Sequence, residues 1–351
     1  MNRRHHCVLA CGLLLAASVP CGLAASVQTA VTAPGAPGKA AAASKDANAA
    51  LRYWAAFSQV SKEVADKVRE IDFDKLTTKD AVAAALKDAG LEGGHPAATG
   101  MLFEATKLAR CDFEVNWDEG PMALLPHLAQ LRTSSRLLRL EARRLQLEGK
   151  PDEAAQFCAA IVRLANHASS DRCLISSLVG VAICELGFAE IKQLLATGKV
   201  SAAAAAELRA AVEVISADDP MRMAEALRNE GKVFADWLEK QLDAPGGMTK
   251  VKEIQSASTG NAAIDKQVAA MDAAAIRADL PKLRAAYVQL DSAWAAADAA
   301  AAIGQVERDA SSGKFGLLAQ VWLPAISKAS ESRKRFLSRR GEVLEQLKAV
   351  K

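Results

Sequence analysis

The chain has 351 residues, a formal net charge of +3, and 51% apolar but only 5% aromatic residues. A charge so close to balance gives no electrostatic case for nucleic acid or for a strongly charged substrate. Alanine supplies much of the apolar content; it forms helices better than any other residue and fills cores poorly, so the composition points to closely packed helices.

The N-terminus reads as a targeting segment. Arg3 and Arg4 precede the apolar run Cys7 to Val19, and small residues surround Ala24 and Ala25. A basic start, a short apolar core and a small-residue cleavage site describe a secretory signal peptide over 1–25. The run falls short of the ~20 residues that span a bilayer, and no membrane-spanning helix is expected after it. Lipidation at Cys11 or Cys21 is the rival: the apolar stretch before Cys11 is too short, and Cys21 follows proline. Loss of Arg3 and Arg4 lowers the charge to +1. The expected location is therefore periplasmic or extracellular.

Residues 26–45, rich in Ala, Pro and Gly, have no apolar period and read as a flexible linker. Asp46 or Asn48 is placed to cap a first helix running to about Glu70. Its core face is assigned to Leu51, Trp54, Phe57, Val60, Val64 and Val68. A short helix is expected from Thr78 to Gly90, and another from Pro96 to Arg110. The central helix begins near Asp118 and carries Leu124, Leu128, Leu131, Ser135, Leu138, Ala142 and Leu145 as its stripe. Gly149 stops it. Pro151, Asp152 and Glu153 open the next helix, with acids where the helix dipole favours them. Asp171 is read as the cap of a third, mostly apolar and deeply buried helix that ends at Gly198. Helices follow from Ser201 to Ile215 and from Asp219-Pro220 to Leu242. Residues 244–280 read as a poorly ordered connection between a helical domain, 46–243, and a long C-terminal helical hairpin, 281–351. That hairpin is opened by Pro281 and kinked at Pro324. No stretch reads as a strand. The expectation is an all-α fold of about nine or ten helices, either an antiparallel bundle or an irregular array of helical hairpins.

The stretch 147–165 has a tetratricopeptide-like pattern: Gly149 before the turn, then Ala154, Ala155, Phe157 and Ala160. Arrays of that kind repeat about every 34 residues, and no second copy appears here; the next turn, at Ser170-Asp171, comes too soon. A generic hairpin in a bundle is the simpler reading. Across 111–195, the blocks "CDFEVNW", "GPMALLPHL", "RLLRLEARRLQLEGKPDEA" and "LISSLVGVAI" resemble a recurrent block of exported, alanine-rich, all-helical bacterial proteins. The resemblance implies a helical fold and an envelope location. It carries no activity to any residue.

Four cysteines follow the targeting segment, and an exported protein can oxidise them. Cys158 and Cys184 lie thirteen residues before and after Asp171, at one level of a helical hairpin. Cys111 and Cys173 fall near one end of it. The pairings Cys158–Cys184 and Cys111–Cys173 follow, against four buried free thiols. His127 and His167 approach the same end, but neither CxxC nor HxxxH spacing supports a metal. His95 sits in a Gly-Pro loop. Arg132, Arg136, Arg139 and Arg143 form a stripe beside the leucine face, either an anion- or partner-binding strip or a solvated flank whose stems cover apolar surface. Ser332 to Arg340 is the densest basic run and reads as a wet face that can also touch anionic lipid headgroups or an acidic partner.

GxSxG, HExxH, GxxxxGK[ST] and CxxCH are all missing. The carboxylate pairs Asp72/Asp74 and Asp118/Glu119 suit helix starts better than catalysis. Trp54, Trp117, Trp237, Trp294 and Trp322 are scattered singly and read as packing anchors. No cofactor is implied. The best functional expectation is a non-enzymatic scaffold or partner-binding protein of the cell envelope, its partner another envelope protein. The alternatives are an envelope enzyme whose site is assembled from distant residues, and a carrier that holds a small apolar ligand against the third central helix, Leu174 to Leu195.

Overall fold

The structure, a computed structural model, describes residues 47–92, 96–255, 261–323 and 326–350. The expected signal peptide and linker, His95 and the kink at Pro324 lie outside these residues. The fold is all-α, as the composition and periodicity imply, with fifteen α-helices and four short 3-10 turns among the described residues. The expected number is too low because several long apolar periods are broken by caps in their interior.

The first such break comes early. In place of one helix there are two, α1 (Ala49–Phe57) and α2 (Lys62–Glu70). The Ser61 hydroxyl accepts from Val64 N and starts α2 afresh. Tyr53, Ala56 and Phe57 form the buried face of α1, while Leu51 is 70% exposed and Trp54 41%. The expected face is therefore rotated. Next come α3 (Lys79–Asp88), capped by Thr78 as expected, and α4 (Pro96–Thr106). An irregular stretch with a 3-10 turn at Trp117–Met122 leads to α5 (Pro126–Glu148), so the central helix starts at Pro126 and not near Asp118. Leu124, outside it, is 74% exposed.

α6 (Pro151–Ala168) and α7 (Leu174–Leu195) complete the centre. Asp171 does not cap α7. It ends a 3-10 turn, and the N-cap is Cys173, with the Ser176 hydroxyl reaching back to the Cys173 backbone. α5, α6 and α7 pack pairwise through short turns. Among the described residues α6 and α7 share the most extensive helix–helix contact, and small residues let their backbones approach. A Cβ at Gly180 would lie 2.9 Å from the Ala165 carbonyl oxygen, and Ala159, Ala160 and Ala165 are fully buried. The tetratricopeptide-like stretch is thus the inner hairpin of a core.

α8 (Ala202–Glu213), capped by Ser201, lies on α6. α9 (Met223–Asp243) packs on α7 and on the later α12. The stretch read as poorly ordered carries α10 (Gly247–Gln255), α11 (Ala262–Ala269) and the start of α12 (Ala273–Trp294). Asp272 caps α12 through Ala275 N, so Pro281 falls inside the helix and does not open it. The C-terminal hairpin is likewise divided, into α13 (Ala299–Ser311), α14 (Gly316–Trp322) and α15 (Ile326–Lys348). α15 closes over α7, α8 and α13, and one continuous apolar core runs from Ala49 to Leu347.

α7 is long and apolar enough to cross a membrane by length and composition. In this fold that surface is used internally: α5, α6, α9 and α15 all pack on it, and Ile183, Ile191 and Leu194 are fully buried.

Candidate functional site

Three groups of polar residues invite a chemical reading. The first contains the arginine stripe. Only Arg132 is exposed. Arg136 is half-buried and donates to the Ile71 carbonyl at 3.2 Å. Arg143, 2% exposed, donates from Nη2 and Nε to the two Glu190 oxygens at 2.7 and 3.0 Å, and from Nη1 to the Leu76 carbonyl at 2.9 Å. Arg139 Nε reaches Glu190 at 2.5 Å, and its guanidinium lies 4.0 Å from the centre of the Phe73 ring. Apart from Arg132, the stripe is neither a solvated flank nor a surface strip. It ties the segment 68–76 and α7 to α5 from inside. The arginines turn inward because α7 supplies a buried carboxylate opposite them, which no spacing within α5 can reveal.

The second group sits where the sequence places His127, His167, Cys111 and Cys173, at the end of the central helices that holds the Asp171 turn. His127 Nε2 donates to Asp171 at 2.7 Å, with both side chains almost fully buried, and Phe113 stacks on the imidazole at 4.0 Å. His167 Nε2 donates to the Leu108 carbonyl at 3.0 Å, which leaves Nδ1 to accept from the Tyr53 hydroxyl at 2.8 Å. Burial pushes the His167 imidazole down to about 4, keeping it neutral. Burial also pushes the Cys111 thiol up to about 12, and Asp171 adds to the effect. Cys173 rises to about 12 in the same way. A thiol held protonated is no nucleophile. No cluster of three or more metal-ligating side chains forms among the described residues.

All four cysteines are buried and free, so the two expected disulfides are corrected. The hairpin register does not bring Cys158 level with Cys184: a Cβ at Gly187 would touch Ile161 and Val162, which puts Cys158 at the level of Glu190. Cys158 feels Glu190, Arg143 and Arg139 on its side of the core, whereas Cys184 feels Glu185 and Arg340 towards α15.

The basic run in α15 is also partly spent inside the fold. Arg339 pairs with Glu185, and Arg333 donates to the Asp218 carbonyl at 2.8 Å. Of the carboxylate pairs, Asp72 caps the turn Phe73–Lys75, while Asp118 takes a cross-chain partner described next.

The third group is a groove of about 470 Å³ between the irregular stretch before α5 and the outer face of α9. Val115, Asn116, Trp117 and Asp118 line one side, and Val233, Asp236, Trp237 and Lys240 the other. Its geometry starts at Gly120, whose φ is +55°. A Cβ there would come within 2.3 Å of Trp237 Cγ, so only glycine lets the indole seat against this turn. Trp237 thereby clamps the stretch onto α9. Lys240 spans the groove to Asp118 at 2.9 Å, and Arg284 on α12 holds Asp236 at 3.0 Å. The Asn116 side-chain oxygen accepts from Asp118 N at 3.2 Å. Among the described residues the buried Trp237 indole N–H has no hydrogen-bond partner. Sequence reasoning missed this site, since its halves lie more than a hundred residues apart in the chain. The glycine beside an Asp-Glu pair in "NWDEGP" was the one local signal of a special turn.

The chain matches no protein-family model, no curated protein and no solved structure.

Proposed function

We propose that this is an exported, non-enzymatic helical scaffold of the cell envelope, which recognises another envelope component through the groove between residues 115–118 and α9. One observation carries this reading: four exposed polar side chains ring an open groove beside aromatic surface, whereas the buried ionisable groups described above are spent inside the fold. Arg139 and Arg143 are held by Glu190, His127 by Asp171, and His167 by Tyr53 and a carbonyl. Asn116, Asp118, Asp236 and Lys240, by contrast, face solvent around an open concavity. Polar groups that surround aromatic surface in a concavity are the ordinary make-up of a recognition site. The reading of the first 25 residues as a signal peptide supports the envelope location.

The test combines fractionation with site-specific cross-linking. The mature chain is expected in the envelope fraction with an N-terminus near Ser26. A photo-cross-linking residue at Val233, in the groove, is expected to give discrete adducts in intact cells. The same residue at Val214, which is 62% exposed and away from the groove, is expected to give none. Retention in the cytoplasm removes the envelope role, and identical labelling from both positions removes the groove.

A further inference from the structure

The groove also indicates what kind of molecule fits it. We infer that its ligand is a neutral, hydroxyl-rich glycan, a reading that rests on the groove being the recognition surface. A sugar ring has a flat face of C–H groups and a rim of hydroxyls. It is therefore matched by an aromatic plane flanked by side chains that accept and donate hydrogen bonds. The groove offers that combination. Trp117, only partly buried, supplies aromatic surface. Asp118 and Asp236 supply acceptors able to take two neighbouring hydroxyls each. Lys240 supplies a donor, and the Asn116 amide keeps its N–H groups uncommitted among the described residues while its oxygen is used by Asp118 N.

Other ligand classes fit less well. An anionic ligand meets two carboxylates and one ammonium. An apolar molecule meets a largely charged rim. An amphipathic peptide helix needs several apolar anchors one turn apart, and the lining offers two valines beside the indoles. The volume of about 470 Å³ suits a short oligosaccharide, and the site is open to solvent. The backbone that carries one side of the groove is held in advance. The stretch is seated by Trp237 against Gly120, and Asp236 and Asp118 lie beside Arg284 and Lys240 in exposed ion pairs that a ligand can exchange into.

The experiment is a titration of the mature chain with cellotetraose, chitotetraose and maltotetraose, read by calorimetry and by the indole N–H resonances. Tetralysine is titrated as the cationic peptide control. The expected result is binding of at least one tetrasaccharide with a Kd of about 0.1–1 mM, as befits an open site. The Trp117 resonance should shift, and Trp117→Ala should weaken binding by about tenfold or more. Asp236→Asn and Lys240→Gln, both at exposed positions, should each weaken it severalfold. They keep the test decisive if Trp117→Ala disturbs the turn. Absence of binding by all three sugars at 10-millimolar order overturns the inference. So does binding that none of the three variants changes, or binding of tetralysine in place of the sugars. If the sugars fail while the Val233 cross-links persist, the ligand class falls and the groove stands; if both fail, the groove falls with it.

Discussion

Glu190 brings one negative charge to a place where Arg139 and Arg143 bring two positive ones, and all three are withdrawn from water. Carbonyl oxygens of Leu76 and Phe73 accept from Arg143 Nη1, so the excess positive charge is spread over the ends of a neighbouring turn. Such a set stabilises little by its presence and costs much when broken, because the surviving charges stay buried. Glu190→Gln should therefore lower unfolding free energy by about 3–5 kcal/mol in urea titrations. The triple change Arg139→Met, Arg143→Met, Glu190→Leu should recover most of that loss, since no orphaned charge remains. If the single and triple variants are equally damaged, packing and not charge is what the site supplies. The thiols give a second residue-scale prediction. With all four buried and held protonated, the folded mature chain should resist a thiol reagent such as DTNB at pH 8. It should titrate four thiols once unfolded. A mass four hydrogens below the reduced value would instead restore the two disulfides expected from the sequence.

At the scale of elements, the small-residue contact between α6 and α7 is the most demanding fit. Gly180→Ala places a methyl 2.9 Å from the Ala165 carbonyl oxygen and 3.2 Å from the Met221 sulfur. Backbone on one side does not yield easily, so the helices must separate. A loss of about 1–3 kcal/mol is expected despite the better helix propensity of alanine. Gly341→Ala on α15, where nothing lies within 4 Å, should be neutral or slightly stabilising and serves as its control. These elements also show what the sequence makes legible. Helix starts signalled by a short polar cap, at Thr78 and Ser201, or by proline and acids, at Pro151, are found where their local chemistry puts them. Errors arise where a local signal has a tertiary competitor. Asp171 has the right type and place to cap α7, but its carboxylate goes to His127, forty-four residues earlier in the chain. Pro281 resembles a helix opener, yet Asp272 caps the helix first. The leucine period extends to Leu124, but the chain turns out to solvent before Pro126. The groove escapes for the same reason: Trp117 and Trp237 look isolated in the chain and come to line one groove because Gly120 lets the Trp237 indole seat against the turn.

The whole molecule joins two buried groups whose pH responses oppose each other. His167 is held neutral, at about 4 against an ordinary 6.5, by burial. The unfolded chain therefore takes up that proton first. The stability His167 contributes is complete above pH 6.5 and is lost as pH falls towards 4. Glu230 on α9 keeps part of its stem in solvent but buries its carboxyl, which accepts from Leu174 N at the start of α7 at 2.7 Å, and burial raises it to about 7 against an ordinary 4.5. Here the folded chain holds the proton more tightly. The stability from its protonated form is complete below pH 4.5 and is lost as pH rises through 7. Each shift corresponds to roughly 3 kcal/mol over its full range, with a slope of about 1.4 kcal/mol per pH unit. Between about pH 4.5 and 6.5 both act and their slopes have opposite signs, so this pair leaves the unfolding free energy of the intact chain nearly level there. Removing one partner exposes the other. Glu230→Gln should make stability climb with pH across that window relative to the intact chain, and His167→Gln should make it fall. Urea midpoints measured at half-unit steps from pH 4.5 to 6.5 test both at once. Parallel curves for the intact chain and both variants would mean that neither group keeps its shifted proton affinity in solution. Opposite tilts would show that burial of the Glu230 carboxyl on α9 offsets the acid sensitivity that burial of the His167 imidazole builds into the other side of the core.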